Sequence, residues 1–178
     1  KFFDREQTQL FIGIPTARIG EEESIPLKMI TTYLSGQSSD LFVEVRDRQW
    51  LCYATSPSHF VALEAGYCGI YLSIGHDKVT PAMDAVMKIM HKIRDNVLTR
   101  EEFELTKKMI EGQNLLNVQT NDDYAAIYSI PILQNLGIDY FYKNNQAINN
   151  LSHQDFQRKI NEIFSRKWNT IVVGRTDR

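Results

Sequence analysis

Four histidines, His59, His76, His91 and His153, and two cysteines, Cys52 and Cys68, are the side chains of this 178-residue sequence best suited to hold a metal or attack a carbonyl. A zinc hydrolase centre needs two histidines and a glutamate on one helical face, as H-E-x-x-H or H-x-x-E-H supplies them. Neither spacing occurs. The nearest pattern, His59 followed by Glu64, has the wrong offset and spans a predicted turn and strand. The cysteines lack C-x-x-C spacing and a neighbouring histidine, so they read as two buried thiols. Cys52 could meet His59 across a hairpin, but no acid is placed to orient the imidazole. G-x-G-x-x-G, P-loop and G-x-S-x-G patterns are absent, which leaves no phosphate cradle and no serine nucleophile. The lone histidines read as surface or hydrogen-bonded residues.

The elements that must position any site follow from hydrophobic period. Residues 9 to 14 put Leu10, Ile12 and Ile14 on one face at period two and predict a strand stopped by Pro15. Ser24 and Pro26 open a helix carrying Leu27, Ile30, Tyr33 and Leu34, with Gly36 as its stop. Ser38 or Ser39 opens a short second helix with Leu41, Phe42 and Val45 inward. From Tyr53 to about Ile74 the period is two again, broken near residues 57 to 59, and Cys68, Ile70, Leu72 and Ile74 share a face, which predicts a hairpin. Thr80 caps a helix with Pro81 at its first position and a stripe of Met83, Val86, Met87, Met90 and Ile93. Thr99 and Glu102 form a capping box at the head of a long helical region through Phe103, Met109, Ile110 and Leu116, which turns before Pro131. Ser152 and Asp155 open a last helix with Phe156, Ile160, Ile163 and Phe164 inward, and residues 170 to 173 form a closing strand ended by Gly174. Hairpin-joined strands separated by helices predict an α+β fold: an antiparallel or mixed sheet of about four to six strands with helices packed on one face.

Composition narrows the partners. With 43% hydrophobic and 24% charged residues the chain can bury a core without a structural metal. Twenty Lys and Arg against 22 Asp and Glu give a formal charge of −2, so no global field favours nucleic acid. No apolar run approaches the roughly 18 residues of a membrane span, and the first residues carry no leader pattern. Two charge runs, Glu21 to Glu23 and the basic set Arg158, Lys159, Arg166, Lys167, Arg175 and Arg178, read as solvated faces. Without repeats or a long linker, residues 1–178 are expected to be a single domain, and the start at Lys1 suggests a fragment of a longer multi-domain protein. Nothing names a compartment.

The most informative stretch is residues 34 to 56, in which Leu34, Gly36, Ser39, Leu41, Phe42, Val45 and Arg46 are followed by Leu51 and Tyr53, seven residues after the arginine. This segment resembles the non-zinc domain of the pitrilysin and insulinase family of zinc metallopeptidases, which includes the mitochondrial processing peptidases. There a segment L-x-G-x-x-S-x-L-F-x-x-(V/L)-R precedes the tyrosine of an L-(G/A)-Y turn. An opening strand at Gln9, the segment from Gly66 to Ile70, and the run from Leu98 to Phe103 ahead of Lys107 or Lys108 match the family in the same order, over about residues 5 to 115. Two positions depart: Asp40 stands where arginine is common, and Cys52 where glycine or alanine precedes the tyrosine.

The resemblance implies a composite site. Metal and general base would lie on a companion H-x-x-E-H domain, in cis or in trans, while this chain holds no cofactor and is inactive alone. Tyr53 would donate to the oxyanion or the substrate backbone, and Arg46 would anchor the peptide main chain through its forked donors. The peptide substrate would lie in a chamber between the two. Read without the resemblance, Arg46 is a helix-end arginine pairing with Glu44 or Asp47, and Tyr53 is an edge-strand tyrosine packing on the sheet. The alternative function is a catalytically silent structural or assembly domain of the same fold.

Overall fold

Alternating apolar residues build the sheet. In the computed structural model, which describes residues 6–96 and 98–174, they form β1 (Thr8–Thr16), β2 (Cys52–Val61), β3 (Gly66–Ile74) and β4 (Asn169–Val173). The strand order is β2-β3-β1-β4 and every pairing is antiparallel. Register sets Leu10 against Leu72, Ile12 against Ile70 and Ile14 against Cys68, and all six side chains are buried. That face carries the helices, as the α+β reading requires. The opposite face presents Phe11, Tyr67 and Tyr71, the two tyrosines exposed.

Two prolines behave differently from expectation. Pro15 lies inside β1, not after it, but β4 pairs only with Gln9 to Gly13, so Pro15 sits past the end of that partner. Pro57 does not break the hairpin: β2 is an edge strand, where a missing N–H is tolerated, and the reversal falls at residues 62 to 65, closed by Ala62 N–H donating to Ala65 O at 2.9 Å.

The helical layer comprises α1 (Ser24–Leu34), a π-helix (Leu41–Arg48), a short 3-10 turn (His76–Lys78) leading into α2 (Val79–Asp95), then α3 (Arg100–Leu116), α4 (Asn121–Leu133), α5 (Tyr140–Asn150) and α6 (His153–Phe164). Thr80 lies within α2 and does not cap it; Lys78 holds that position without a side-chain cap. The Thr99 capping box is present in full, Glu102 N–H donating to Thr99 Oγ1 and Thr99 N–H donating back to Glu102 Oε2. The long region after Thr99 divides at residues 117 to 120, where Thr120 and Asp123 form a second capping box, and Pro131 lies inside α4. The expected pattern contains no counterpart of α5.

The core is centred where helices meet the sheet. Phe103 of α3 packs on Phe156 of α6 with ring centroids 5.3 Å apart, and Ile160, Ile163 and Phe164 complete the buried stripe of α6. The two charge runs are not simply solvated: Glu22 pairs with Lys159, and Glu23 pairs with Arg166, tying the start of α1 to α6 and its C-terminal end. The Arg166 guanidinium, helped by the Ala17 N–H, holds the Glu23 carboxyl below its usual range. Arg175 and Arg178 lie outside the described residues.

Candidate functional site

Most residues of the 34-to-56 segment are scaffold. Leu34, Leu41, Val45 and Leu51 are buried in the common core. Ser39, also buried, donates to Leu34 O at 2.9 Å and accepts from Phe42 N–H at 3.3 Å, joining the end of α1 to the π-helix. The expected α-helix here is wider: Gln49 N–H reaches Glu44 O, five residues back, at 3.2 Å. Such π segments are rare and recur at functional sites. The Asp40 departure is accommodated by an ion pair with Lys92 of α2.

Against these anchors, two side chains stand out without a fold role. Tyr53 is 79% exposed. The β2–β3 register steps from Cys52↔Ile74 to Ala54↔Ser73, leaving Tyr53 as the extra residue of a β-bulge. A bulge re-aims its side chain out of the regular alternation, which explains why Tyr53 does not pack on the sheet as an ordinary edge tyrosine would. Arg46 is exposed at the last turn of the π-helix, its guanidinium 4.7 Å from the centre of the Phe42 ring. No carboxylate pairs with it among the described residues, because Glu44 is engaged by Arg48 and no Asp47 ion pair forms. The local ion-pair reading of Arg46 is thereby corrected.

The link between them carries two features that sequence reading missed. Trp50 adopts φ 52°, in the left-handed region, which costs a residue with a bulky side chain roughly 1–2 kcal/mol. Flanking bonds hold it there: Leu51 N–H donates to Val45 O at 3.0 Å, and Lys78 Nζ donates to the Trp50 carbonyl at 2.6 Å. The sequence offers one signal for this link, a tryptophan between Arg46 and Tyr53, and none for Lys78, 28 residues on.

His59 faces Cys68 across the hairpin, not Cys52. Burial pushes the Cys68 thiol up to about 12 and the His59 imidazole down to about 4, so neither is an activated nucleophile or base. Cys52 is also raised by burial, an effect the Arg46 charge opposes. Among the described residues, no group of three His, Cys, Asp or Glu could hold a metal ion. A cleft of about 290 Å³ does exist between α3, α4 and α5, lined by residues such as Ile110, Leu115, Tyr124 and Phe141. It shares no residue with the Arg46–Tyr53 surface, which is open and faces solvent.

An antiparallel sheet with helices on one face, a glycine-terminated helix running into the arginine segment, and a tyrosine bulge beyond it make an α+β domain that assembles no metal-binding group among the described residues. The chain belongs to the peptidase M16 family: the family model described as the peptidase M16 inactive domain matches residues 2–110. An uncharacterized zinc protease of Rickettsia bellii is 27% identical over 177 residues, covering 96% of this chain and 42% of its own length. The uncharacterized zinc protease YmxG of Bacillus subtilis is 23% identical over 120 residues, 67% of this chain and 29% of its own. The chain thus spans less than half the length of these relatives. Among solved structures, the peptidase M16 inactive domain from Pseudomonas fluorescens superposes with a TM-score of 0.85 at 17% identity, covering 98% of this chain and 42% of that one. An inactive peptidase domain from Bordetella parapertussis superposes at 0.79 and 12% identity, covering 96% of this chain and 94% of that one.

Proposed function

We propose that this inactive domain forms one wall of a peptide-binding chamber and presents Arg46 and Tyr53 to a zinc site carried by a companion H-x-x-E-H domain, in cis or in trans. The observation that carries the reading is the division of labour within the matched segment: Leu34, Leu41, Val45 and Leu51 are buried anchors, while Arg46 and Tyr53 are exposed and make no ion pair among the described residues. The openness of the surface supports it as well, since a second wall is needed before water can be excluded from a reacting peptide.

Zinc on the companion would polarise the scissile carbonyl and activate water. The Tyr53 hydroxyl donates to the oxyanion as it develops. Arg46, its guanidinium face resting on Phe42 and its edges open, donates to main-chain carbonyls of the bound peptide. The test is peptide hydrolysis by the native full-length protein with its accompanying partner, comparing wild type with Tyr53→Phe at matched zinc content. Losing an oxyanion donor should lower kcat by a factor of about 10² to 10³. Full activity in the variant would reduce the pair to scaffold, and hydrolysis by this chain alone with one bound zinc would overturn the composite site. Absence of hydrolysis in both forms would favour the silent structural reading.

A further inference from the structure

We propose that Trp50 is a substrate-contacting residue that selects peptides with an aromatic or long aliphatic side chain beside the scissile bond. The inference rests on the composite-site reading and deepens it. Three observations converge on the same side chain. Trp50 is 75% exposed, although an indole in water forgoes a large apolar burial. It lies between the two site residues, four after Arg46 and three before Tyr53. Its backbone is in the left-handed region, where glycine would be at ease and tryptophan is not.

Strained residues persist where the surroundings over-determine them, and here they do. The Val45 carbonyl fixes the following amide, and the Lys78 ammonium fixes the Trp50 carbonyl itself. A turn of this kind needs no tryptophan to form. The indole is not recruited into the core, stacks on no aromatic ring among the described residues, and is held out on a rigid support. By contrast the chain's other tryptophan, Trp168, packs edge-on to Phe164 and donates from Nε1 to the Phe164 carbonyl, as a structural tryptophan does.

The partner's chemistry follows from the neighbours. A flat exposed indole gains most by covering an apolar or aromatic side chain. An indole alone would also attract cations, but Lys78 already places an ammonium at the Trp50 carbonyl, which opposes a lysine or arginine side chain there. An apolar side chain sandwiched by Trp50 would also register the peptide relative to Tyr53, three residues away on the bulge.

The test uses the native full-length protein with its zinc-bearing companion and a set of quenched-fluorescence peptides. A single Phe is walked along an otherwise Ala, Gly and Ser sequence, with matched series carrying Lys or Ala at the same position. In the wild type one position should show a Phe-to-Ala ratio of kcat/KM of roughly three- to twelvefold, expressed in KM, with Lys below Ala. Trp50→Ala should bring that ratio to within about twofold of one, and Trp50→Phe should retain most of it. Trp50→Gly removes the indole while suiting the left-handed backbone, so its ratio should also collapse with no fall in Tm. A Phe-to-Ala ratio that survives Trp50→Ala and Trp50→Gly, whatever happens to absolute rates, overturns the proposal, as does a wild-type preference for Lys at that position. Tyr53→Phe run alongside separates the two claims. If Tyr53→Phe is damaging while the Trp50 ratios are unmoved, only the Trp50 assignment fails. If Tyr53→Phe is silent, or no form hydrolyses peptide, the composite site fails and this inference with it.

Discussion

Replacing His59 with leucine should flatten the acid side of this domain's stability curve. His59 Nε2 is buried without a hydrogen-bond partner, and desolvation lowers the imidazole from the ordinary 6.5 to about 4. The Glu23 carboxylate opposes this only weakly, because it is already bonded to Arg166 and the Ala17 amide. As pH falls below about 6.5 the unfolded chain takes up a proton that the folded chain refuses. Stability is therefore fully present above that pH and is lost as pH falls toward 4. Complete expression of the gap would be worth roughly 3 kcal/mol; residual solvent contact reduces this, and over the accessible window from about pH 7 to pH 5 a loss of roughly 1–2 kcal/mol is expected. Paired carboxylates such as Glu23 and Glu102 titrate below their usual range and contribute little in that window. Urea unfolding midpoints of wild type and His59→Leu at the two pH values read the effect directly. The variant should be at least as stable as wild type at pH 7, since an unpartnered buried nitrogen has been removed, and should lose less than half as much on acidification. An identical pH slope in both proteins would refute the burial argument, and so would a His59 proton titrating near 6.5 in the folded protein by NMR.

Phe103→Ala removes the ring, 1% exposed, that joins α3 to Phe156 and His153, and it strips the face on which Lys107 rests at 4.5 Å. The expected loss is about 3–5 kcal/mol, seen as a fall of about 10 °C or more in Tm by calorimetry. Arg46→Ala and Tyr53→Phe should leave stability within about 0.5 kcal/mol of wild type in the same assay, because both side chains are exposed and neither is ion-paired among the described residues. A substantial destabilisation by either would mean that the fold uses them.

Much of this fold was legible because single-face burial leaves a periodic trace. Leu10, Ile12 and Ile14, the stripe of α6 and the Thr99 capping box each match a structural period or cap directly. The misread elements lack such a trace. α4 carries Tyr124, Ile130, Ile132 and Leu133 exposed and buries only Pro131, so its pattern does not define a face. α5 buries only Ile148 among many polar residues. Pro57 does not stop its strand because an edge strand tolerates a missing donor, whereas Pro131 removes the N–H that would reach back one turn, and α4 ends two residues later at Leu133. The family resemblance singles out Arg46 and Tyr53 as candidates, and the exposure of both is compatible with that role. The bulge that lifts Tyr53 out of register and the left-handed Trp50 were not legible, since both depend on how β2 meets β3 and on a lysine from the start of α2.

Three departures without a periodic trace fall together in the segment that the functional reading depends on. A π-helix, a left-handed tryptophan and a bulge occur within residues 41 to 54, each a departure from regular structure. A chain selected only for stability would shed such features, because a regular helix, a glycine at the turn and an unbroken ladder are all more favourable locally. Their joint effect is geometric: the π-helix delivers Arg46 at its exposed end, the turn holds Trp50 outward, and the bulge turns Tyr53 away from the sheet's alternation. Three large side chains thus stand exposed along eight residues over a rigid, buried set of leucines and valine. Under the proposed composite site the arrangement would act once another surface closes over it, because a phenol and a guanidinium are worth most to a reacting peptide where water is excluded.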